Sequence, residues 1–262
     1  MRGALRIVWT FAKLGFQNEA AYRANFWIQI FESLVNVGSA VAAVSLVFTR
    51  TESLAGWRPP ELVALLGIYF AVYGAIHVVI APSLMKFMED VRQGTLDFML
   101  TKPADSQLLV STSEIRVWKL VDFALGAGIL AYGVAGLSER IGPLELLGFA
   151  IALAAGVAIV YAFWLLLATL AFWFVRLENL LMIFWNTYQA ARWPVGIYPR
   201  WLRISLTAIV PVALAVTVPA EALAGRLTFA NLALVCGVAV TLLAVSRWFW
   251  LRGLQRYSGA SA

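Results

Sequence analysis

Charged residues are scarce in this chain. Asp, Glu, Lys and Arg together make up 13% of its 262 residues, whereas 62% are hydrophobic. An ordinary soluble domain is about a quarter charged, and a soluble protein of this composition would lack the polar groups to cover its surface. The apolar residues are concentrated in stretches close to or above the roughly 20 residues that a helix needs to cross a bilayer. The sequence therefore predicts an all-α integral membrane protein.

Cysteine and histidine are almost absent. The single cysteine, Cys236, excludes an intramolecular disulfide, and with one histidine, His77, it gives no support to a zinc site or a Cys–His nucleophile pair. The dipeptide Gly-Lys does not occur, so the chain has no G-x-x-x-x-G-K-[ST] phosphate loop. We therefore expect this chain to bind no nucleotide, metal or other cofactor and to catalyse no reaction of its own.

Basic residues outnumber acidic ones, which gives a net charge of +6. They are spread along the chain at the ends of apolar runs, and this placement is typical of residues that orient membrane spans. A nucleic-acid partner is therefore not expected, whereas contact with membrane lipid is.

The apolar runs predict six spans in a single transmembrane domain, 1–262. Residues 4–23 precede them and carry apolar and polar side chains on two different helical faces, which predicts a helix lying in the membrane interface. The longest polar stretch, 82–114, separates the second span from the third. Small residues in the third span, such as Ala124 and Gly128, allow close packing against another helix. Five spans are unambiguous, at about 26–48, 61–81, 115–137, 144–174 and 231–251.

Residues 177–226 allow two topologies. In the first, 178–197 form the fifth span and 198–222 fold back as a re-entrant hairpin on the exterior side. In the second, 178–200 lie at the cytoplasmic surface and 202–220 cross the membrane. With both termini in the cytoplasm, the second topology leaves all but four of the twenty Lys and Arg residues on the cytoplasmic side, as the positive-inside rule requires. The first topology obeys the rule less cleanly, because it moves Arg200 and Arg203 outside and buries Arg192.

The most specific pattern follows the second span. Residues 83–95 read as a short charged helix that ends near Gly94, and residues 96–103 continue with an apolar L-D-F-M-L run and a Lys-Pro stop. A second pattern, in 193–219, contains Trp-Pro, then Y-P-R-W-L-R, and then two further prolines. With these features the chain resembles the permeases of ABC-2 type ABC transporters, in particular the small six-span subfamily with a G-x-L-D-x-x-L-x-[KR]-P pattern. The resemblance covers essentially the whole chain.

The resemblance implies a permease subunit of an ATP-driven exporter, located in the plasma (cell inner) membrane with both termini in the cytoplasm. Its partners would be two copies of an ATP-binding cassette subunit, which would carry the ATP and Mg, and a second permease chain, either a related heterodimer partner or an identical copy. Residues 4–23 would be the elbow helix. Residues 83–95 would be a cytoplasmic coupling helix between spans two and three, whereas the alternative is an ordinary charged loop. The residues expected to couple to the ATPase are Lys86, Phe87, Glu89, Asp90, Arg92 and Gly94.

The resemblance also favours the first topology, with its exterior hairpin at 198–222. In that topology the fifth span carries amide side chains, and two other predicted spans also carry polar residues on one helix face. A carboxylate in lipid is costly, so these faces should look at protein or water. We predict that they line the substrate pathway. The alternatives are interhelical hydrogen bonds in the first span and a packed histidine in the second. The candidate lining residues are Gln29, Glu32, Asn36, Tyr69, Tyr73, His77, Asn186 and Gln189.

The substrate is not specified by these residues. Aromatic and amide side chains with one carboxylate, Glu32, suit an amphiphilic or cationic molecule, but a lipid or a peptide would fit them as well. The alternative function is a secondary transporter or a channel subunit that is not driven by ATP. The first would show inverted repeats, which the sequence lacks, and the second would need a ring of filter residues. An adjacent gene for an ATP-binding protein would favour the exporter.

Overall fold

The structure is a computed structural model that describes residues 23–137, 141–174 and 177–257. It is 80% helical, and the described part contains no β-strand beyond an isolated bridge between Leu54 and Trp57. The predicted elbow helix lies outside the described residues, except for Arg23, which begins the first helix.

The helices are numbered here in chain order, and the helical turns between them are named by their residues. They are α1 (Arg23–Phe48), α2 (Pro59–Ala75), α3 (Ala81–Gln93), α4 (Asp97–Leu100), α5 (Ser106–Ser111), α6 (Leu120–Ala135), α7 (Pro143–Thr169), α8 (Glu178–Tyr188), α9 (Arg200–Ile204), α10 (Val212–Leu223) and α11 (Phe229–Leu254). Tight 3₁₀ turns extend α7 to Phe172 and α8 to Arg192, and π turns follow α2 and α9, at Ile76–Ile80 and Ser205–Ile209.

Five of the described helices are long and apolar enough to cross a membrane, and a sixth crossing results if α9 and α10 count as one span. The five agree with the five unambiguous runs of the sequence. The second differs in length, because α2, the π turn and α3 form one helix of 35 residues, Pro59–Gln93. The helix α2 occupies the centre of the bundle between α6 and α10, while α7 packs against α10 and α11, and α1 packs against α2.

Four glycines bring α2 and α6 into backbone contact. A Cβ atom added to Gly67 on α2 would lie 2.3 Å from the backbone nitrogen of Leu130, and one added to Gly126 on α6 would lie 2.3 Å from that of Ala71. Gly74 on α2 and Gly133 on α6 make equivalent contacts. Gly128 points elsewhere, since an added Cβ would meet no atom within 4 Å. The small residues that matter on α6 are therefore glycines other than the one singled out from the sequence.

The junction of α2 and α3 is built around Pro82. Proline has no backbone N–H to donate to the carbonyl four residues earlier, and its ring crowds that carbonyl. The π turn accommodates the ring, with the Ala81 N–H donating to the Ile76 carbonyl, and the Val78 carbonyl accepts instead from the backbone N–H of Arg116 at 2.8 Å. Directly after Pro82, the hydroxyl of Ser83 donates to the carbonyl of Glu114 at 2.7 Å. These bonds tie the junction to the segment that leads into α6.

The region with two possible topologies forms α8, α9 and α10. The helix α8 runs antiparallel to α2, since Trp185 stacks on His77 with ring centroids 4.3 Å apart and Tyr188 stacks on Tyr69 at 4.9 Å. After Arg192 the chain turns into α9, and a bend of 99° separates the α9 segment from α10. The helix α10 then returns along α7, where the Cα of Ala215 lies 2.7 Å from the position of a Cβ on Gly156.

Polar contacts close the two ends of the bundle. Where α2 begins, the Glu61 carboxylate accepts from the backbone N–H of Arg58 at 2.9 Å and pairs with Arg226, whose guanidinium lies 4.7 Å above the ring of Trp57. We call this the Trp57 end. At the opposite end, called the Gly94 end, Asp105 caps α5 by accepting from the Leu108 N–H at 3.1 Å.

Arg247 on α11 anchors the segment that follows α3. Its guanidinium donates to both carboxylate oxygens of Asp105, at 3.1 and 2.7 Å, and to the side-chain oxygen of Gln107 at 2.9 Å. The Gln107 amide in turn donates to the hydroxyl of Tyr161 on α7 at 3.0 Å. Side-chain hydrogen bonds therefore hold the segment after α3 against α7 and α11.

Candidate functional site

The largest group of predicted site residues lies around one cavity of about 870 Å³ between α1, α2 and α8. Six of the eight candidate lining residues border it, namely Glu32, Asn36, Tyr69, Tyr73, His77 and Gln189. Gln29 is half-buried and Asn186 is exposed, and neither borders the cavity. Three sequence stripes, each identified separately, thus meet at one place.

Helical spacing explains how each wall is formed. On α1, Glu32, Asn36 and Ser39 recur at intervals of four and three residues, and these intervals put side chains on one face. The α8 wall follows the same rule, because Trp185, Tyr188, Gln189 and Arg192 fall within two helical turns. The third wall is formed by Tyr69 and Tyr73 on α2 and by His77 on the π turn that follows α2. Each helix therefore presents to the cavity a set of side chains with a helical repeat.

An aromatic cluster forms the floor of the cavity. His77 lies between Tyr73 and Trp185, with its ring centroid 4.2 and 4.3 Å from theirs, and Tyr188 stacks on Tyr69. The hydroxyl of the buried Tyr188 donates to the backbone carbonyl of Tyr69 at 2.9 Å. Tyr188 therefore fixes α8 against α2 by both stacking and a hydrogen bond, while Tyr73 and Trp185, both half-buried, remain available at the surface of the cavity.

Among the described residues that border the cavity, Arg192 is the one cation. Its guanidinium donates to the side-chain oxygen of Asn36 at 2.9 Å and lies over the rings of Tyr69 and Phe70, 5.2 and 5.9 Å from their centroids. The Nε atom is buried and has no hydrogen-bond partner in the described part of the chain. Within the ranges that the structure describes, Arg192 is thus held in place by a neutral amide and two aromatic rings and has no carboxylate as its ion-pair partner.

Glu32 supplies the opposite charge on the same wall as Asn36. Its side chain is exposed to the cavity, and within residues 23–137, 141–174 and 177–257 its carboxylate forms neither a hydrogen bond nor an ion pair. In particular, it does not pair with Arg192, because no contact between the two falls within 4.0 Å. The cavity therefore contains one carboxylate and one guanidinium that do not neutralise each other by direct contact.

The predicted coupling residues divide into two sets. Phe87 is 1% exposed and packs against Trp250 and Phe172, with ring centroids 5.0 and 5.4 Å apart. Asp90 also serves the fold, since it pairs with Lys86 at 3.2 Å and accepts from the Thr95 hydroxyl at 3.1 Å. These contacts give Phe87 and Asp90 a clear role in packing α3.

The remaining coupling residues face outward or end the helix. Glu89 and Arg92 form an i,i+3 ion pair at 2.6 Å, and both side chains are at least 40% exposed. Gly94 has φ of +72°, the left-handed conformation that glycine adopts at a helix C-terminus. Next to Glu89 and Arg92, a cleft of about 310 Å³ opens between α3 and the start of α8, lined largely by apolar side chains such as Met85 and Phe174.

Seven residues that border the cavity are not among the predicted lining residues. Four are on α1, namely Ile28, Phe31, Val35 and Ser39, and three are on the α8 wall, namely Trp185, Tyr188 and Arg192. These last three stand four and one residues before Gln189 and three after it. A helical reading of 185–192 as one cavity-facing set would have found them. No group of three or more His, Cys, Asp or Glu residues in the described ranges could hold a metal ion.

Comparison with known proteins gives one match. The model of a protein family described as ABC-2 family transporter protein matches residues 34–261. This range includes the α2 and α8 walls of the cavity, α3 and the anchored segment behind it, whereas Glu32 on the α1 wall precedes it. No curated protein matches the chain, and no solved structure does.

Proposed function

Because this chain belongs to the ABC-2 family of transporter proteins, we propose that it is the permease subunit of an ABC exporter and provides the path by which a substrate leaves the cell. The family match over 34–261 is the observation that carries this proposal. ATP would be hydrolysed, with Mg, on two copies of a separate ATP-binding cassette subunit. A second permease chain, related or identical, would complete the pathway.

The length of the Pro59–Gln93 helix supports a coupling role for α3. At 1.5 Å per residue, its 35 residues extend over about 52 Å, whereas the hydrocarbon core of a bilayer is about 30 Å thick. The remaining length of roughly 20 Å corresponds to α3, so a partner that pushes on α3 pushes on a membrane-spanning helix directly. Two hydrogen bonds join this helix to the segment before α6, one accepted by the Val78 carbonyl and one donated by the Ser83 hydroxyl, and they would pass the same movement to a second span.

The outward side of α3 is the surface we assign to the ATP-binding subunit. Glu89 and Arg92 are exposed there, and the apolar cleft beside them could receive a side chain of the partner. Phe87 and Asp90 face the bundle and are occupied by contacts within the chain. Docking should therefore depend on Glu89 and Arg92, and Asp90 should influence it only through the shape of α3.

We further propose that α8 contributes the fifth crossing and that α9 and α10 form a re-entrant hairpin at the Trp57 end. Two observations support this. The helix α8 lies against the apolar middle of α2, at the level of Tyr69 and Tyr73, and its outer side exposes Met182 and Ile183, 60% and 56% of whose surface is accessible. Such a side suits lipid better than water. The Gly94 end would face the cytoplasm.

The docking proposal is tested by co-purification of the ATP-binding subunit with variants of α3. Glu89→Lys reverses one charge of the proposed surface, and like-charge juxtaposition across an interface can cost several kcal/mol. We expect association and transport to fall while membrane insertion is unchanged. Glu52→Lys, in an exposed loop at the Trp57 end, is the matched control and should leave both intact.

A second variant separates docking from helix stability. Exchanging the pair, with Glu89→Arg and Arg92→Glu together, keeps an i,i+3 ion pair but inverts its pattern. An effect through the helix alone, about 0.2–0.5 kcal/mol for such a pair, would be rescued by the exchange, whereas an effect through docking would not. Full association and full export by both variants would remove the coupling role from α3.

Topology is tested by cysteine labelling in a Cys236→Ser background. Gln93→Cys should react only from the cytoplasmic side and Ser53→Cys only from outside, and the opposite result would reverse the orientation. Arg200→Cys distinguishes the two arrangements of 178–222. Labelling from outside agrees with the hairpin, and labelling from the cytoplasm would show that α9 and α10 make the fifth crossing themselves.

A further inference from the structure

The cavity contains two opposite charges at a fixed spacing. Arg192 is held by Asn36, and Asn36 and Glu32 are four residues apart on α1. Residues at this interval are neighbours on a helix surface, with Cβ atoms about 5–6 Å apart. The guanidinium and the carboxylate therefore lie about one helical turn apart along the same groove, with Arg192 nearer the Trp57 end.

Neither charge is neutralised by the described part of the chain. The Arg192 guanidinium also lies over the rings of Tyr69 and Phe70, and its Nε is buried without an acceptor in the described residues. A guanidinium in this state is suited to a phosphate or a carboxylate, which accepts hydrogen bonds from its planar fork. Tyr73 and Trp185, which border the same cavity as Glu32, are half-buried, and aromatic rings together with a carboxylate favour a cationic group.

The outer rim of the cavity is apolar. Ile28, Phe31 and Val35 on α1 border it, and 63%, 70% and 54% of their surfaces are exposed. This rim gives the hydrocarbon part of an amphiphile a surface continuous with the two charges. A molecule that carries only one charge would leave either Arg192 or Glu32 without a counter-charge inside the membrane segment, which is costly.

We propose that the cavity binds a zwitterionic amphiphile, with its anionic group at Arg192 and Asn36, its cationic group at Glu32 beside the aromatic cluster, and its chain along the apolar rim. This inference rests on the proposed function, since it names the substrate class of the same pathway. It replaces the cationic preference expected from Glu32 alone, because Arg192 balances that charge.

The test measures binding of tritium-labelled lysophosphatidylethanolamine to the purified chain in an uncharged maltoside detergent. Lysophosphatidylglycerol, which is anionic, and hexadecyltrimethylammonium, which is cationic, are the competitors. We expect the zwitterion to bind more tightly than either competitor. The difference should be about ten- to a hundredfold, the range that charge-assisted hydrogen bonds give.

Two charge-removing variants assign the two ends of the headgroup. Glu32→Gln should abolish the preference for the zwitterion over lysophosphatidylglycerol, and Arg192→Gln should abolish the preference over hexadecyltrimethylammonium. Glu52→Gln and Arg50→Gln, in the exposed loop at the Trp57 end, remove the same charges outside the cavity and should change neither preference. Elution of each variant as a single species in size-exclusion chromatography shows that it is folded.

The outcomes separate this proposal from the proposed function. Equal binding of the three headgroups, or equal loss in the cavity and loop variants, would overturn the zwitterion site. The absence of binding would also overturn the zwitterion site. This result is expected if a second permease chain covers the groove. Headgroup selectivity in a chain that fails to associate with any ATP-binding subunit would support the site and reject the exporter. Association without selectivity would do the reverse.

Discussion

Gly126→Ala provides a direct test of the contact between α2 and α6. The added methyl group would lie 2.3 Å from the backbone nitrogen of Ala71, whereas ordinary contact begins at 3.4 Å. The obstacle is backbone, so no side-chain rotation relieves it, and the two helices must move apart by roughly 1 Å. A gap of this size forfeits about a quarter to a half of each dispersion contact along the interface.

The expected cost follows from two opposing terms. Overpacking in a well-packed interior costs about 1–3 kcal/mol, and the higher helix propensity of alanine returns roughly 0.5–1 kcal/mol. Lipid provides no hydrophobic force that would hold the helices together, so the surrounding bilayer does not offset the loss of packing. We expect Gly126→Ala to be less stable by about 1–2 kcal/mol.

The measurement is reversible unfolding of the purified chain in mixed detergent micelles, followed by circular dichroism. Gly128→Ala is the matched control on the same helix, because no atom lies within 4 Å of its added Cβ, and it should be neutral or slightly stabilising. Gly126→Ala combined with Gly133→Ala should cost less than the sum of the two, since one separation of the helices relieves both contacts. Wild-type stability of Gly126→Ala would refute the backbone contact.

Three further predictions concern single side chains. The hydrogen bond from Arg247 lowers the pKa of the Asp105 carboxyl, so its stabilisation is present above the unfolded-state pKa of about 3.9 and is lost as pH falls through the folded-state value. Thermal unfolding of Asp105→Asn should lack this acid-side loss, and an unchanged pH profile would contradict the pairing. Ser83→Ala removes the hydrogen bond to the Glu114 carbonyl and should lower the free energy of unfolding by about 1 kcal/mol. An unchanged free energy of unfolding would mean that this hydrogen bond does not stabilise the fold. Tyr188→Phe, measured in the same unfolding assay, should also cost about 0.5–1.5 kcal/mol, and a larger cost would mean that stacking is disturbed too.

Much of the fold follows from local features of the sequence. Hydropathy located five spans because a bilayer requires long apolar helices, and Gly94 marked the end of α3 because the left-handed conformation at a helix end favours glycine. The stripes on α1 and α2 were found because helical periodicity relates residues three and four apart. Their convergence on one cavity could not be predicted, since it depends on which helices are neighbours.

Other features depend on tertiary contacts. The predicted second span ends at residue 81, whereas the helix continues through Pro82 to Gln93. The sequence could not show that Arg116, 34 positions after Pro82, supplies a hydrogen bond to the Val78 carbonyl that the proline leaves without its helical partner. The position of α8 is ambiguous from the sequence because its amide and aromatic residues suit both an interface and a buried wall. The structure shows that its aromatic residues stack on Tyr69 and His77. Gly126 and Gly128 are both glycines in the same helix, and only the position of α2 beside Gly126 distinguishes them.

The π turn at Ile76–Ile80 makes the number of residues in this helix matter more than their identity. Each residue of an α-helix advances the chain by about 100°, so the extra residue of a π turn sets the rotation of everything that follows. Deleting any one position in the turn would rotate α3 relative to α2 by that amount and would move Phe87 away from Trp250. Among random mutants of this gene, we therefore expect in-frame loss of a single codon here to be far more damaging than conservative replacement of the same residue.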